Sequence, residues 1–251
     1  MKLAEFYEAA NVERALEGYR SSVPVTWGAV GRLELYRSAK VAFQSDAPED
    51  ERRREFGRIY SDLRRYWQVF RNAGGTCWSA DQTFSILTTQ CEPVSRQSGL
   101  TAKNLVERTH TDRIRECLVT LGPIKPSTYF PWMATSKFLH FFNPSLFPIY
   151  DDKYVWKKVA TGAFRQDYND FCRRHGFQRN PWTVQFSVQY VLWGSEIMQT
   201  ASDECMPIFA RWFASQVDVQ SASAPLLQDL EQYHAAAFEA IAIGAAFLSS
   251  K

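Results

Sequence analysis

The sequence has few cysteines, and their spacing gives them no common role. They are odd in number, no two are separated by two residues, and they lie at Cys77, Cys91, Cys117, Cys172 and Cys205. This pattern argues against a disulfide framework and against a structural zinc site. We therefore expect reduced thiols, no metal, no cofactor and a cytoplasmic location.

The sequence also lacks a long hydrophobic run. Glu5 and Glu8 interrupt the N-terminal segment, so no secretion signal is visible there. The most apolar stretch near the C-terminus, residues 240–248, is too short to cross a bilayer. We expect a soluble, monomeric protein that does not need a membrane.

A large charge imbalance is absent as well, because the net charge of the 251 residues is only +2. Positive charge is nevertheless concentrated in residues 152–179, where the acidic residues are Asp152, Asp167 and Asp170. The basic residues of this segment are more numerous: Lys153, Lys157, Lys158, Arg165, Arg173, Arg174 and Arg179. Such a segment can neutralise nucleic-acid phosphates, and it can equally be the solvated face of helices.

Strand patterns are scarce, and helical patterns follow one another along most of the chain. Residues 2–18 have apolar positions at helical spacing. Residues 184–192 alternate like a strand, but the preceding Asn-Pro-Trp at residues 180–182 is typical of a helix start, which favours a helix. Residues 225–248 have the pattern of one long final helix. We predict an all-α fold of about ten helices.

The most informative stretch is Phe-Pro-Ile-Tyr-Asp at residues 147–151, because it leads directly into a basic and aromatic helix. A buried helix at residues 136–142 precedes it and ends at an Asn-Pro turn. The order is therefore helix, proline turn, apolar run, carboxylate and helix. This order resembles the catalytic corner of the helix-hairpin-helix DNA glycosylases, in which the Asp after such an apolar run is the catalytic carboxylate.

The resemblance implies both a fold and an activity. The expected fold is bilobal and all-α, with one lobe at residues 20–145 and a second lobe at residues 146–251 that the N-terminal helix, residues 1–19, completes. The expected activity is hydrolysis of the N-glycosidic bond of a modified base that has been flipped out of double-stranded DNA. The product is an abasic site, and Asp151 is the catalytic carboxylate.

The chemistry explains why a carboxylate is needed at this corner. Positive charge builds on the sugar as the base departs, and a fixed carboxylate stabilises that charge and orients the attacking water. A helix N-terminus helps Asp151 to stay ionised. Two other interpretations stay open: Asp151 is only a helix cap, a role for which Asp is well suited, or Asp152 is the catalytic residue.

Lys137 is a second catalytic candidate. Family members that also cut the DNA strand use a Lys, early in the helix before the Asp, to attack C1′. The family spacing places that position near Met133, whereas Lys137 lies one helical turn further along. The pattern therefore favours a monofunctional enzyme that uses water, with Lys137 as a cation in the cleft.

The sequence departs from the family in two places. The glycine-rich hairpin that holds DNA phosphate in the family corresponds here to Thr-Tyr-Phe-Pro-Trp at residues 128–132, which contains no glycine. The four-cysteine iron–sulfur cluster of several members cannot form, since only Cys205 lies in the last fifth of the chain. The chain is thus more similar to divergent bacterial members, which include phage-defence glycosylases that remove hypermodified cytosines.

Base flipping needs stacking surfaces, a reader of the base edge and contacts to the DNA backbone. The residues expected around the base are Tyr150, Trp132, Tyr129 and Gln90. The residues expected at the DNA backbone are Lys153, Lys157, Lys158 and Lys125. The histidines have no metal-ligand spacing, and His140, within an apolar helix, is interpreted as a core residue.

Two other functions stay open from the sequence. A non-catalytic helical protein that binds DNA or assists a defence system would use Asp151 only as a cap. A hydrolase of nucleosides or other small molecules would use the same carboxylate without a basic track for DNA. Excision of a base from DNA distinguishes the proposed glycosylase from both.

Overall fold

Helices are the only regular structure in the part of the chain that the computed structural model describes, and no strand occurs there. That part comprises residues 2–24, 29–44, 46–67, 78–92, 112, 114–117, 132–178, 184–216 and 228–249. The prediction of an all-α fold is confirmed. Among these described residues, no helix is both long and apolar enough to span a membrane.

The helices are named in chain order. A short 3₁₀ helix, Leu3–Tyr7, precedes α1 (Ala9–Ser22), α2 (Ala29–Gln44), α3 (Glu49–Arg65) and α4 (Ala80–Ile86), and α4 continues as a π-helical turn, Leu87–Cys91. The next described helices are α5 (Trp132–Phe142), a π-helix (Asp152–Ala163) and α6 (Arg165–His175). The last three are α7 (Val184–Thr200), α8 (Cys205–Ser215) and α9 (His234–Ser249).

Local sequence explains several helix ends. α3 has acidic residues in its first turn and Arg64 and Arg65 in its last turn, the charge order that the helix dipole favours. α4 begins with a capping box in which Ser79 and Gln82 each accept the other's backbone N–H. α6 ends at Gly176, whose φ of 66° is the left-handed conformation that glycine adopts without strain.

α9 is the central helix of the core. Its residues 235–246 are all buried, and it packs against α1, α7, α8 and the π-helix. A helix that is buried on every side needs apolar residues on every side, and residues 235–248 are apolar except for Glu239. α1 runs along α9, so the first and the last helices of the chain share one core.

Two predicted helices have different boundaries in the structure. The N-terminal pattern over residues 2–18 is divided at Glu8, whose backbone is extended with φ −78° and ψ 142°. The single final helix predicted over residues 225–248 is wrong, because a turn at residues 231–232 precedes α9. The helix predicted over residues 184–192 is confirmed as part of α7.

A tertiary contact explains where α9 begins. The backbone N–H of Ala236, in the first turn of α9, donates to the carbonyl oxygen of Pro144 at 3.1 Å. The first N–H groups of a helix have no partner within the helix, so a carbonyl from elsewhere in the fold can fix its start. Helical periodicity in the sequence carries no information about such a partner.

α1 and α9 cross so closely that the crossing requires glycine. A Cβ atom on Gly244 would lie 1.8 Å from the carbonyl oxygen of Ala15, and a Cβ atom on Gly18 would lie 2.7 Å from the carbonyl oxygen of Gly244. Both neighbours are backbone atoms, which cannot move aside unless a whole helix moves. The two glycines therefore permit the short distance between the first and the last helices.

Gly244→Ala is expected to destabilise the fold, because the added methyl group forces α1 away from α9. The expected loss is at least about 2 kcal/mol in the free energy of unfolding, measured by urea denaturation. Gly57→Ala is the matched control, since Gly57 lies inside α3 with nothing within 4 Å of its Cβ position. The control should gain about 0.5–1 kcal/mol from helix propensity. Equal changes in the free energy of unfolding for the two substitutions would contradict the conclusion that α1 and α9 pack too closely for a side chain at Gly244.

Candidate active site

The segment at residues 147–151 has no regular secondary structure, and no strand among the described residues pairs with it; its last residue, Asp151, has an extended backbone with φ −146° and ψ 159°. Three polar side chains from α5 and α9 bind the backbone of this segment instead: His140 binds the Phe147 carbonyl at 2.8 Å, Glu239 the Ile149 N–H at 3.1 Å and Ser136 the Tyr150 N–H at 3.0 Å. Buried backbone groups need such partners where no sheet supplies them. The path of the chain into Asp151 is therefore fixed by side chains on helices.

His140 is a core histidine, as the sequence predicts. Its Nδ1 lies 2.8 Å from the Phe147 carbonyl oxygen and its Nε2 lies 2.7 Å from the Tyr36 hydroxyl. A carbonyl oxygen only accepts, so Nδ1 carries the proton and Nε2 accepts the hydroxyl proton of Tyr36. Burial lowers the pKa of His140 well below its usual value, so the imidazole is a neutral link between α2, α5 and the segment at residues 147–151.

Asp151 is the N-cap of the π-helix. One of its carboxylate oxygens accepts the Tyr154 N–H at 2.5 Å, and the Val155 backbone also lowers the pKa of the carboxyl group. The first turn is wide, because the Trp156 N–H binds the Asp151 carbonyl oxygen, five residues earlier, at 3.0 Å. π-helical turns are rare and recur at functional sites. Asp151 is thus a cap, and this geometry also holds its carboxylate in one orientation.

Asp151 also opens on a cavity of about 260 Å³. The wall of the cavity combines the aromatic rings of Tyr19 and Trp67 with apolar side chains. Its charged residues are Arg32, Lys137, Asp151, Asp152, Lys153 and Glu239. A concave, mainly apolar pocket with a few converging charged groups is the usual form of a ligand site. The cavity is therefore the candidate active site.

The ionisation of Asp151 reflects its position in the cavity wall. Burial raises the pKa of its carboxyl group above the usual value, and the Tyr154 N–H and the charge of Lys137 offset part of this rise. An ordinary exposed cap shows the opposite trend, because its hydrogen bonds lower the pKa while water solvates the charge. A carboxylate that is desolvated and held at a helix start is typical of a functional site.

Lys137 lies in the same wall, and its environment complements that of Asp151. Burial lowers the pKa of the Lys137 ammonium group, and the negative charge of Asp151 opposes part of this effect. The Lys137 nitrogen lies 5.6 Å from the centre of the Trp67 ring, a cation–π distance. Met133, one turn earlier on α5, also lines the cavity. Both positions considered for a catalytic Lys therefore face the cavity.

A buried ion pair forms the inner wall of the cavity. Arg32 on α2 binds Glu239 on α9 through two nitrogen–oxygen contacts of 2.6 and 3.3 Å. The Arg32 guanidinium group also lies over the rings of Tyr19 and Trp67, at 5.9 and 5.5 Å. Burial raises the pKa of the Glu239 carboxyl group, and Arg32 opposes that rise. The pair thus joins two helices to the aromatic part of the wall.

The structure brings some of the predicted site residues together and separates others. Asp151, Lys137 and Lys153 all line the cavity. Tyr150 is buried with its ring against Tyr190, and Gln90 is exposed on the turn after α4, so neither forms part of the cavity wall. Tyr129, Lys125 and the side chain of Trp132 lie outside the described residues.

Three of the four predicted backbone-binding lysines, Lys153, Lys157 and Lys158, are described, and they are exposed but differ in their contacts. Lys153 lines the cavity and lies over the Tyr154 ring, and Lys158 lies over the Phe247 ring. Lys157 forms an ion pair with Asp152 at 2.6 Å. The charge of Asp152 therefore has a partner on the surface of the π-helix.

The sequence pattern does not predict several cavity residues, among them the polar and aromatic side chains of Tyr19, Arg32, Trp67 and Glu239. They come from distant parts of the chain, and only the fold places them around Asp151. Glu239 has a local signal, since it is the one carboxylate within an apolar stretch long enough to be buried. Tyr19, Arg32 and Trp67 have no comparable signal.

Comparison with protein-family models, with characterised proteins and with solved structures finds no match to this chain. Within the described residues, no group of three or more His, Cys, Asp or Glu side chains is arranged to hold a metal ion. The chemistry of the site is therefore inferred from its own residues.

Asp151→Asn is expected to raise the free energy of unfolding at pH 7, because asparagine caps a helix as well as aspartate does and buries no charge. The pKa of Asp151 is higher in the folded chain than the ordinary value of 3.8, so the wild type loses stability as the pH rises from 3.8 through the folded pKa. The stability advantage of the variant should be absent below pH 3.8 and should grow as the pH rises above that value. Urea unfolding at a series of pH values tests this, and an advantage that shrinks as the pH rises would contradict it.

Proposed function

We propose that the protein is a DNA glycosylase, which hydrolyses the N-glycosidic bond of a modified base flipped out of double-stranded DNA and leaves an abasic site. The observation that carries the proposal is the position of Asp151. Its desolvated carboxylate is held at a helix start and opens on a cavity that contains aromatic rings and cations. The same proposal includes a bilobal helix-hairpin-helix fold.

In the proposed reaction, water attacks C1′ of the flipped nucleotide while the bond from C1′ to the base breaks, and its electron pair leaves with the base. Positive charge develops on the sugar, and the Asp151 carboxylate stabilises it and accepts the proton of the water. The hydrogen bond from the Tyr154 N–H holds the carboxylate in place before the reaction begins. The low-dielectric wall strengthens the attraction between the Asp151 carboxylate and the positive sugar.

The proposed nucleophile is water, and Lys137 acts as a cation. A departing base takes on negative charge, which the ammonium group of Lys137 is placed to stabilise from the same cavity wall. The contact with the Trp67 ring fixes that ammonium group. The enzyme is therefore proposed to be monofunctional, with a DNA strand that stays intact after the base has left.

The exposed lysines support DNA rather than a free nucleoside as the substrate. Lys153 belongs both to the cavity wall and to the exposed surface, so the basic surface reaches the cavity. Lys157 and Lys158 extend this surface along the π-helix. A substrate that carries phosphates on both sides of the flipped base would contact such a surface, whereas a free nucleoside would not use it.

The proposed base is a hypermodified cytosine, and the proposed role is defence against phage that carry such bases. This part follows from the missing glycine-rich hairpin and the missing iron–sulfur cluster, which make the chain more similar to divergent bacterial members of the family, among them phage-defence glycosylases. The relevant DNA substrates are therefore duplexes that contain cytosine, 5-hydroxymethylcytosine or glucosylated 5-hydroxymethylcytosine at one position. Alkaline cleavage after incubation converts each abasic site into a strand break.

Asp151→Asn should abolish excision, by at least about two to three orders of magnitude, because the carboxylate acts in the transition state. Asp152→Asn is the matched control and should slow excision only a few-fold, since Asp152 is already neutralised by Lys157. The measurement is the single-turnover rate of abasic-site formation. Full loss in Asp152→Asn alone would transfer the catalytic role to Asp152, and full activity in both would refute the glycosylase.

Sodium borohydride in the same assay tests the nature of the nucleophile. It traps a Schiff base between an enzyme lysine and the sugar, and no adduct is expected if water attacks C1′. A covalent adduct that is lost in Lys137→Ala would show that Lys137 is the nucleophile. Strand breaks without alkali would support the same conclusion.

Replacement of Lys153, Lys157 and Lys158 by glutamine should weaken binding to all DNA sequences alike. The slope of log affinity against log salt should fall by about one unit for each phosphate contact that is lost. The matched control replaces Arg53, Arg54 and Arg58 on α3, each of which is paired with an acid of its own helix, at 2.7, 3.6 and 2.9 Å. An unchanged slope in the lysine variant, or an equal change in the control, would show that the lysine surface does not bind DNA.

A further inference from the structure

The Arg32–Glu239 ion pair takes no part in the reaction proposed above, although both residues line the cavity. Arg32 is 5% exposed and Glu239 is 1% exposed, so the pair lies in the interior. Apolar residues of similar size commonly replace such a pair without loss of stability. Stability alone therefore does not explain why two charges lie beside the cavity.

Glu239 has a third contact, which reaches the segment that carries Asp151. Its Oε2 atom accepts the Ile149 N–H at 3.1 Å, and Ile149 lies two residues before Asp151. Arg32 holds both oxygens of the same carboxylate. The arginine thus fixes the orientation of the carboxylate, and the carboxylate fixes the backbone of the segment at residues 147–151.

We infer that Glu239, held by Arg32, is a positioning residue for Asp151: it anchors the backbone that directs the Asp151 carboxylate into the cavity. Neither residue touches the reacting atoms in this role. The anchor comes from α9, the most deeply buried helix, whereas Ser136 anchors the next N–H from α5. The segment is therefore held between two helices, and loss of one anchor lets it move relative to the substrate.

The two charges of the pair have opposite signs, so their effects on the charge of Asp151 oppose each other, which makes geometry the main effect of the pair. Arg32 lowers the pKa of Asp151, and the negative charge of Asp151 raises the pKa of Glu239. Lys137 also lowers the pKa of Asp151, and the buried hydroxyls of Tyr19 and Tyr190 are the other titratable groups that interact with it. Removing both charges of the pair together therefore isolates the hydrogen bond to Ile149.

Two double variants make that comparison. Arg32→Met with Glu239→Gln removes both charges and keeps an oxygen that accepts the Ile149 N–H. Arg32→Met with Glu239→Leu removes the same charges and the acceptor. The second variant should excise the base about 100-fold more slowly with unchanged DNA affinity, since a small displacement of a catalytic group costs that much. The first should stay within about tenfold of the wild type, because an amide oxygen accepts a weaker hydrogen bond than a carboxylate does.

Equal excision rates in the two variants would overturn the inference. If the leucine variant does not fold, the excision rate of the glutamine variant is compared with that of the wild type. A rate within about tenfold supports the anchor, and a loss of about 100-fold in a folded protein overturns it. A loss of DNA affinity in place of rate would also overturn it, because a positioning residue acts on the chemical step.

This inference rests on the proposed function only for its activity measurement. The carboxyl carbon of Asp151, followed by NMR against pH in the protein without DNA, gives an independent result. The midpoint should stay raised in the glutamine variant and move towards the ordinary 3.8 in the leucine variant, where the loosened segment admits water. Equal midpoints would overturn the positioning role. If the wild type excises no base but the two variants differ in their midpoints, only the proposal of a glycosylase would be refuted.

Discussion

The region around the cavity depends on one buried interaction, the ion pair between Arg32 and Glu239. Removing a carboxylate from water costs several kcal/mol, so Glu239 is tolerated inside the apolar helix α9 because Arg32 and the Ile149 N–H both bind it. The same guanidinium group lies over Tyr19 and Trp67. A single pair therefore connects two helices, the aromatic wall and the segment that ends at Asp151.

That segment illustrates how a helical fold holds a stretch of chain that has no regular secondary structure. A strand in a sheet has its N–H and C=O groups bound by neighbouring strands, whereas side chains bind the Phe147 carbonyl and the N–H groups of Ile149 and Tyr150. His140, Ser136 and Glu239 supply the bonds from α5 and α9. Side chains on packed helices hold a functional group more firmly than a loop does, so the direction in which Asp151 enters the π-helix is well defined.

The parts of the structure that can be predicted from the sequence are the local ones. The positions of α3, α5 and α7 follow from periodicity, charge order and caps, and the Asp151 corner follows from a short pattern of apolar residues, proline and carboxylate. The cavity cannot be predicted in this way, because Arg32 and Glu239 are 207 positions apart. A lone carboxylate in an apolar helix predicts that some partner exists, but many arginines are available, and only the packing selects one.

The properties of Asp151 and Lys137 are best understood together. Burial raises the pKa of the carboxyl group and lowers the pKa of the ammonium group, so each charged form is less stable than it would be in water. Among the described residues, no direct ion pair joins these two side chains: the carboxylate binds the start of the π-helix, and the ammonium group faces Trp67. A direct pair would satisfy both charges before any ligand arrived. Because they are held apart in one cavity wall, each charge stays available to a ligand that becomes positive at one end and negative at the other, as a sugar and its departing base do.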